Sequence, residues 1–154
     1  MSEKLRIIKM TEDELDAVDV MELEVYGDTA APFEFLMDAF NDPNGYLYVA
    51  YWGDEIAGHC AMSHKTSATP NYCNIGNLMV KKNFRRRGIG KLLMIKILDK
   101  AKELGLSRAT LKVATENFAA IDLYKSFGFQ VEELIKNFYA DEGGDAYIMW
   151  SYSI

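Results

Sequence analysis

Six cations and two glycines fall together between Val80 and Lys91, in the run V-K-K-N-F-R-R-R-G-I-G-K. The cations are Lys81, Lys82, Arg85, Arg86, Arg87 and Lys91, and no acid lies among them. The whole chain carries −6, so without these six it stands at −12. Gly88 and Gly90 remove side chains where backbone must approach something closely or where φ must turn positive. An apolar segment (Ile75, Leu78, Met79, Val80) enters this loop and a long amphipathic pattern leaves it. The loop therefore opens a helix, whose free N–H groups and dipole favour an anion. The chemistry indicated is the holding of a phosphate-bearing ligand.

A second constellation lies downstream. In the stretch N-F-A-A-I-D-L-Y-K-S-F-G-F, Asn117 and Tyr124 fall two helical turns apart and share a face, with Ala120, Leu123 and Phe127 towards the core. One amide and one phenol on one side can hold a polar ligand and offer it a proton. The alternative is an N-cap at Asn117 and a core aromatic at Tyr124.

The elements that must position these residues follow from periodicity and punctuation. Leu5 to Met10 reads as a strand, and Thr11 with Glu14 has the spacing of a capping box. The helix after it carries Leu15, Val18 and Leu23 on one side and breaks at Gly27 and Asp28. A second helix runs from Pro32 to about Phe40. Tyr46 to Trp52 and Ile56 to Ser63 are strands of a hairpin turning at Gly53 and Asp54, and Tyr72 to Val80 adds a third strand. The helix from Gly88 to about Leu104 buries Leu93, Ile97, Ala101 and Leu104, with Gly105 as its cap. Ala109 to Ala114 is a strand and Asn117 to Phe127 a helix closed by Gly128. Phe129 to Phe138 and Ala146 to Tyr152 form a closing hairpin around Asp141 to Asp145. The class is α/β: a central mixed sheet of about seven strands with helices on both faces. Its middle strands, joined by a helix, run parallel.

The 154 residues fit one domain, 1–154, and 49% apolar content suits an ordered core. No apolar run approaches the ~20 residues of a membrane span, and the first residues lack the apolar core of a signal peptide. Two cysteines (Cys60, Cys73) and two histidines (His59, His64) make neither a disulfide framework nor a metal-site spacing. A cytoplasmic setting with no membrane and no metal is the simple expectation. From Met10 to His64 there is no Lys or Arg but thirteen acids, from Glu12 to Glu55. That arm is either a solvated helix face or an entrance for a cationic substrate. The overall acidity argues against a nucleic-acid binder.

Among phosphate loops, the mononucleotide pattern fails because Leu92 follows Lys91, and the dinucleotide fingerprint fails because Leu93 stands at its third glycine. The pattern R/Q-x-x-G-x-G/A, between strand and helix, is met by Arg85, Gly88 and Gly90. With the Asn117–Phe129 string, this resembles the Gcn5-related N-acetyltransferase (GNAT) family over nearly the whole chain. Within it, Lys136, Asn137, Phe138 and Tyr139, then Gly144, Asp145, Ala146, Tyr147 and Met149, are similar to the last hairpin of protein N-terminal acetyltransferases, of both the ribosomal-protein alanine type and the archaeal and eukaryotic type.

The resemblance implies a GNAT-like acyl-CoA N-acyltransferase fold with acetyl-CoA as cosubstrate. Leu78, Met79 and Val80 would meet the pantetheine and thioester through backbone groups. Arg85, Arg86, Arg87, Gly88, Ile89, Gly90 and Lys91 would cradle the pyrophosphate. Asn117 would bond the pantetheine and Tyr124 would be the general acid for the departing thiolate. Tyr139 and, from the acidic arm, Asp28 would serve the acceptor; Glu24 and a water held by Glu116 are further candidates for a base. The implied reaction is direct attack of an amine on the thioester, leaving Cys60 and Cys73 as core residues. Two departures stand out. Relatives carry a Glu base where this chain has Lys112, and a tyrosine where it has Phe138. An α-amine (pKa ~7.7–8.0) is roughly a tenth to a fifth neutral at pH 7, whereas a lysine side chain (~10.4) is neutral in about one molecule in 2,500. The missing base thus favours a protein or peptide N-terminus as acceptor. The alternatives are a small-molecule amine (a polyamine or aminoglycoside) and a non-catalytic acyl-CoA-binding module.

Overall fold

The computed structural model describes residues 4–139 and 144–154. Its strands are β1 (Leu5–Lys9), β2 (Gly45–Trp52), β3 (Glu55–Lys65), β4 (Tyr72–Val80), β5 (Ala109–Ala114), β6 (Gln130–Tyr139) and β7 (Gly144–Ser151). Its helices are α1 (Leu15–Tyr26), α2 (Phe33–Asn41), α3 (Ile89–Glu103) and α4 (Phe118–Ser126), with short 3-10 turns at Glu12–Glu14, Gly27–Thr29 and Lys82–Phe84. The seven strands form one mixed sheet in the order β1-β2-β3-β4-β5-β7-β6. The element order is the one predicted, and β4 and β5 have the predicted bounds. The predicted turn residues Asp141 to Gly143 lie outside the described residues.

The residues pack as two compact units, Met1–Ser63 with Asn77–Ile97 and His64–Gly76 with Leu98–Ile154. In the first unit, Met10, Leu15, Val18, Met21, Leu47, Val49 and Met79 form the core, with Val25 and residues of α2 packed against it. The inward face of α1 is thus Leu15, Val18, Met21 and Val25. Leu23, predicted on that face, is 55% exposed. At about 100° per residue it lies roughly 80° round the helix from Leu15, and the pull of a branched apolar side chain does not override that geometry.

The capping box is present. Glu14 Oε1 accepts from the Thr11 N–H at 2.7 Å and the Thr11 hydroxyl at 2.9 Å, while the Thr11 hydroxyl oxygen accepts from the Asp13 N–H at 3.3 Å. The other oxygen of Glu14 accepts from the Tyr51 hydroxyl at 2.9 Å, which ties the start of α1 to β2. Burial pushes the Glu14 carboxyl up, but the bonds from Thr11 and Tyr51 outweigh it and hold the group below its usual 4.5.

In the second unit, β4 and β5 are parallel, with Cys73, Asn74 and Ile75 opposite Ala109, Thr110 and Leu111. Alternation along β5 buries Ala109, Leu111 and Val113. Both long-loop helices end in the same left-handed glycine motif. Gly105 (φ 80°) and Gly128 (φ 91°) stand past α3 and α4. The N–H groups of Gly105 and Leu106 bond the carbonyls of Lys102 and Ala101, and those of Gly128 and Phe129 bond Lys125 and Tyr124. At the end of α3 the buried apolar position is Leu106 rather than the predicted Leu104, which is half-buried. The reversal at Gly105 carries the chain back over the helix end.

Because the folded carboxyl of Glu14 titrates low, its contribution is complete above the unfolded value near 4.5 and is lost as pH falls through the folded value. Tyr51→Phe, which deletes one of its donors, is expected to cost about 1–2 kcal/mol at pH 7. In thermal melts the gap to the parent narrows below pH ~4.5.

Candidate active site

The cationic loop is built on the end of β4. The Lys81 N–H bonds the Ala57 carbonyl of β3 at 2.9 Å, and the 3-10 turn closes with Phe84 N–H to Lys81 O (3.0 Å) and Arg85 N–H to Lys82 O (3.3 Å). The next main-chain bond is Leu92 N–H to Gly88 O at 3.1 Å. Between them, the N–H groups of Arg86, Arg87, Gly88, Ile89, Gly90 and Lys91 have no hydrogen-bond acceptor among the described residues. Arg86 (φ 64°) and Gly88 (φ 79°) are both left-handed. A Cβ on Gly88 would meet nothing within 4 Å, so that glycine serves the backbone angle and not a close contact. Buried Ile89 anchors the first turn of α3, while Arg85, Arg86, Arg87 and Lys91 remain exposed. Two of the arginines fold back on the chain. Arg85 Nε donates to the Val80 carbonyl at 3.1 Å, and Arg87 lies over the rings of Trp52 and Phe84, 4.8 and 5.1 Å from their centroids.

Gly58 belongs to this arrangement and was not anticipated. A Cβ there would lie 2.9 Å from the Met79 carbonyl, 3.1 Å from Leu93 and 3.3 Å from Ile89. The absent side chain lets α3 seat on the strands beside the loop. A glycine inside the strand pattern Ile56–Ser63 was the available signal.

The acidic arm contributes unevenly. Asp28 is exposed on the 3-10 turn after α1. Glu24 is 3.8 Å and Glu55 3.5 Å from Lys81 Nζ. Glu22, which sequence reasoning passed over, is held at both oxygens, by Asn77 Nδ2 of β4 at 3.3 Å and the Ala31 N–H at 3.1 Å. Nothing in the sequence separates it from twelve other acids of the arm.

Asn117 and Tyr124 lie in the second unit. Asn117 is the N-cap of α4, and its Oδ1 accepts from the Ala120 N–H at 3.3 Å. The predicted shared helical face is therefore replaced by a cap and a helical residue, because the free N–H groups of the first turn take up the amide oxygen. Tyr124 is buried, 7% exposed, as is Ile121, whereas Ala120, Leu123 and Phe127 are half-buried. The Tyr124 carbonyl accepts from the N–H groups of Phe127 and Phe129 at 3.0 and 3.1 Å, and its ring packs against that of buried Phe129 at 6.3 Å. The glycine motif at Gly128 thus fixes where the phenol ring lies.

On the last hairpin, Asn137 takes a left-handed φ of 54°, and its N–H donates to Asp145 Oδ1 at 2.9 Å. This kink precedes Phe138 and Tyr139, whose rings meet edge to face at 5.0 Å. Burial pushes the Tyr139 phenol up. Asp145 is thus a third residue that sequence reasoning missed; its signal was an acid at the foot of a hairpin. Lys112 is exposed, on the side of β5 opposite buried Leu111 and Val113, as alternation requires. Cys60 and Cys73 are fully buried, and burial pushes both thiols up, that of Cys73 to about 12. Neither is a thiolate near neutral pH. Among the described residues no group of three His, Cys, Asp or Glu is placed to hold a metal, and no helix is long and apolar enough to cross a membrane.

The family model for the acetyltransferase (GNAT) family matches residues 10–129, which span the loop and α4. The chain belongs to the GNAT family. It is an N-acetyltransferase of that type, with the family's seven-stranded mixed sheet flanked by helices. It is 27% identical over 150 residues, 97% of each chain, to a protein of Bacillus subtilis (strain 168) named as a putative ribosomal protein bS18-alanine N-acetyltransferase. It is 37% identical over 111 residues, 71% of this chain and 73% of the other, to the ribosomal protein bS18-alanine N-acetyltransferase of Salmonella typhimurium. The crystal structure of the corresponding Escherichia coli enzyme superposes with a TM-score of 0.86 at 21% identity, covering 97% of this chain and 95% of that one. This likeness shows the shared fold.

Gly58→Ala is expected to destabilise the protein by about 1–3 kcal/mol, since a new methyl group must displace the Met79 carbonyl or the packed start of α3. Denaturant unfolding against the parent measures this.

Proposed function

We propose that this GNAT enzyme transfers acetyl from acetyl-CoA to the α-amine of a protein or peptide N-terminus. The observation that carries the cosubstrate reading is the row of unpartnered N–H groups from Arg86 to Lys91, at the start of a helix and in an exposed cationic loop. In this reading those groups take the pyrophosphate. The backbone of Leu78, Met79 and Val80 takes the pantetheine and thioester. The Nδ2 of Asn117 donates to the pantetheine amide oxygen while its Oδ1 stays on the helix cap.

The amine attacks the thioester carbonyl carbon, a C–N bond forms, the C–S bond breaks, and the proton lost by the amine passes to water. Tyr124 is the acid that protonates the departing sulfur. A phenol near 10 is slightly weaker than a thiol near 8.5, so it hydrogen-bonds the sulfur first and donates as charge develops. The buried, fixed ring suits that role, and the buried thiols of Cys60 and Cys73 suit a mechanism without an enzyme nucleophile.

Two lines support the N-terminal acceptor. One is the relatives named for ribosomal-protein alanine acetylation. The other is Lys112, which leaves the enzyme without the strong base that a lysine acceptor demands and an α-amine largely does not. Tyr139, set by the Asn137–Asp145 kink, and Asp28 serve as acceptor contacts. The arm of thirteen acids without a Lys or Arg favours, as a second reading, a small polyamine-like acceptor.

Thiol release from acetyl-CoA over a panel of free N-terminal peptides, polyamines and aminoglycosides separates the two; turnover of small amines alone would overturn the N-terminal assignment. Tyr124→Phe is expected to lower kcat by about 10²-fold or more while leaving the KM for acetyl-CoA within a few-fold. An unchanged kcat removes Tyr124 from the mechanism.

A further inference from the structure

Three observations converge on Trp52, at the end of β2. Its ring lies 4.8 Å from the Arg87 guanidinium, and Phe84 lies 5.1 Å away from the same group. The two rings are 6.2 Å apart and inclined at 42°, so they form an open jaw with the guanidinium within reach of both. Arg87 Nη2 also donates to the Asn83 carbonyl at 3.4 Å. Arg87 is the residue between the two left-handed positions, Arg86 and Gly88. A non-glycine residue at positive φ is unfavourable and persists where its surroundings hold it. Trp52 comes from β2, remote in sequence from the loop, and Phe84 is itself buried at the loop's base. The Arg87 side chain is therefore engaged by the protein.

We propose that Trp52 is a positioning residue for acyl-CoA. With Phe84 it grips Arg87, and through Arg87 it keeps the Arg86–Lys91 N–H groups in their anion-accepting arrangement before the ligand arrives. The proposal rests on the assignment of this loop to the CoA pyrophosphate. It assigns Arg87 an indirect role: the guanidinium secures the loop, and the backbone binds the phosphates. Arg86, exposed and with no side-chain bond among the described residues, is left as the loop arginine that can meet phosphate directly.

The test is a double-mutant cycle on the full chain with Trp52→Leu, Arg87→Met and the pair, with Trp52→Phe as the conservative variant. Acetyl-CoA affinity is measured by calorimetry, KM and kcat by thiol release, and loop mobility by NMR order parameters of the Arg86–Gly90 amides without ligand. Each single variant is expected to weaken acetyl-CoA about fivefold to twentyfold, with kcat within about twofold, the size of effect a lost cation–π contact supports. The pair should be no weaker than the worse single variant, because both changes break one contact. Order parameters in the loop should fall in all three, and Trp52→Phe should restore most of the affinity. Dephospho-acetyl-CoA should lose affinity by the same factor, since the clamp serves the pyrophosphate.

Multiplicative losses in the pair, or an Arg87→Met effect that vanishes with the dephospho ligand, would show that Arg87 grips phosphate itself and would overturn the proposal. So would unchanged loop order parameters in Trp52→Leu. Thermal melts of each variant separate a loop effect from unfolding: a fall in affinity shared by Trp52→Leu and Trp52→Phe that tracks melting temperature alone also overturns it. If the parent protein binds no acetyl-CoA, the assignment of the loop fails and the clamp falls with it. If the parent binds and Trp52→Leu binds equally, only the clamp fails.

Discussion

A backbone segment left without hydrogen-bond partners is the constraint around which the first unit is arranged. Six successive N–H groups at the end of β4 and the start of α3 face no acceptor among the described residues. Such groups are costly when buried and tolerable when exposed. Arg86, Arg87, Gly88 and Lys91 are exposed and only Ile89 is buried, yet the loop is anchored to its surroundings. Lys81 is bonded to β3, Phe84 and Ile89 are buried on either side, and Arg87 lies against two rings. The result is an anchored loop whose cations and free N–H groups suit a negatively charged ligand. The absent side chain of Gly58 lets α3 approach the strands closely enough for this.

The second unit works by a different device. Tyr124 is the last well-buried residue of a short helix, and the left-handed turn at Gly128 returns Phe129 against its ring. In the proposed mechanism this phenol meets the leaving sulfur, a role that a ring fixed in position suits. The cysteines accord with the same mechanism. Both are sealed in the core with thiols pushed far above neutrality, which suits a reaction in which the amine attacks directly.

Most of the secondary structure was legible because its causes are local. Strand alternation, the Thr11–Glu14 box and the glycines at 105 and 128 act within a few residues of where they are read. The misreadings came from treating a helix as a pattern without its geometry or its ends. Leu23 was placed inward for being apolar, although the angle puts it in solvent, and for Asn117 the N-cap alternative, rather than the shared helical face, is the one found. Both depend on which side other elements cover and where the first free N–H groups fall. Glu22 was not legible at all, and Asp145 only as an acid at the foot of a hairpin. Each looks like any surface acid until Asn77 or Asn137 is brought to it from another element.

The sequence by itself determined the cationic, glycine-punctuated loop, the strand–loop–helix that carries it, and membership of a family of N-acetyltransferases. Those depend on residue type and short spacing, and glycine angles and helix starts act over a few residues. Only the tertiary structure decided which cations are free and which are structural. Arg85, Arg86 and Arg87 are adjacent and identical in kind, but one bonds the Val80 carbonyl, one stands open, and one is held by Trp52, thirty-five residues earlier in the chain. A charge acts on whatever lies within a few ångströms of it, and that neighbourhood exists only once the chain has folded.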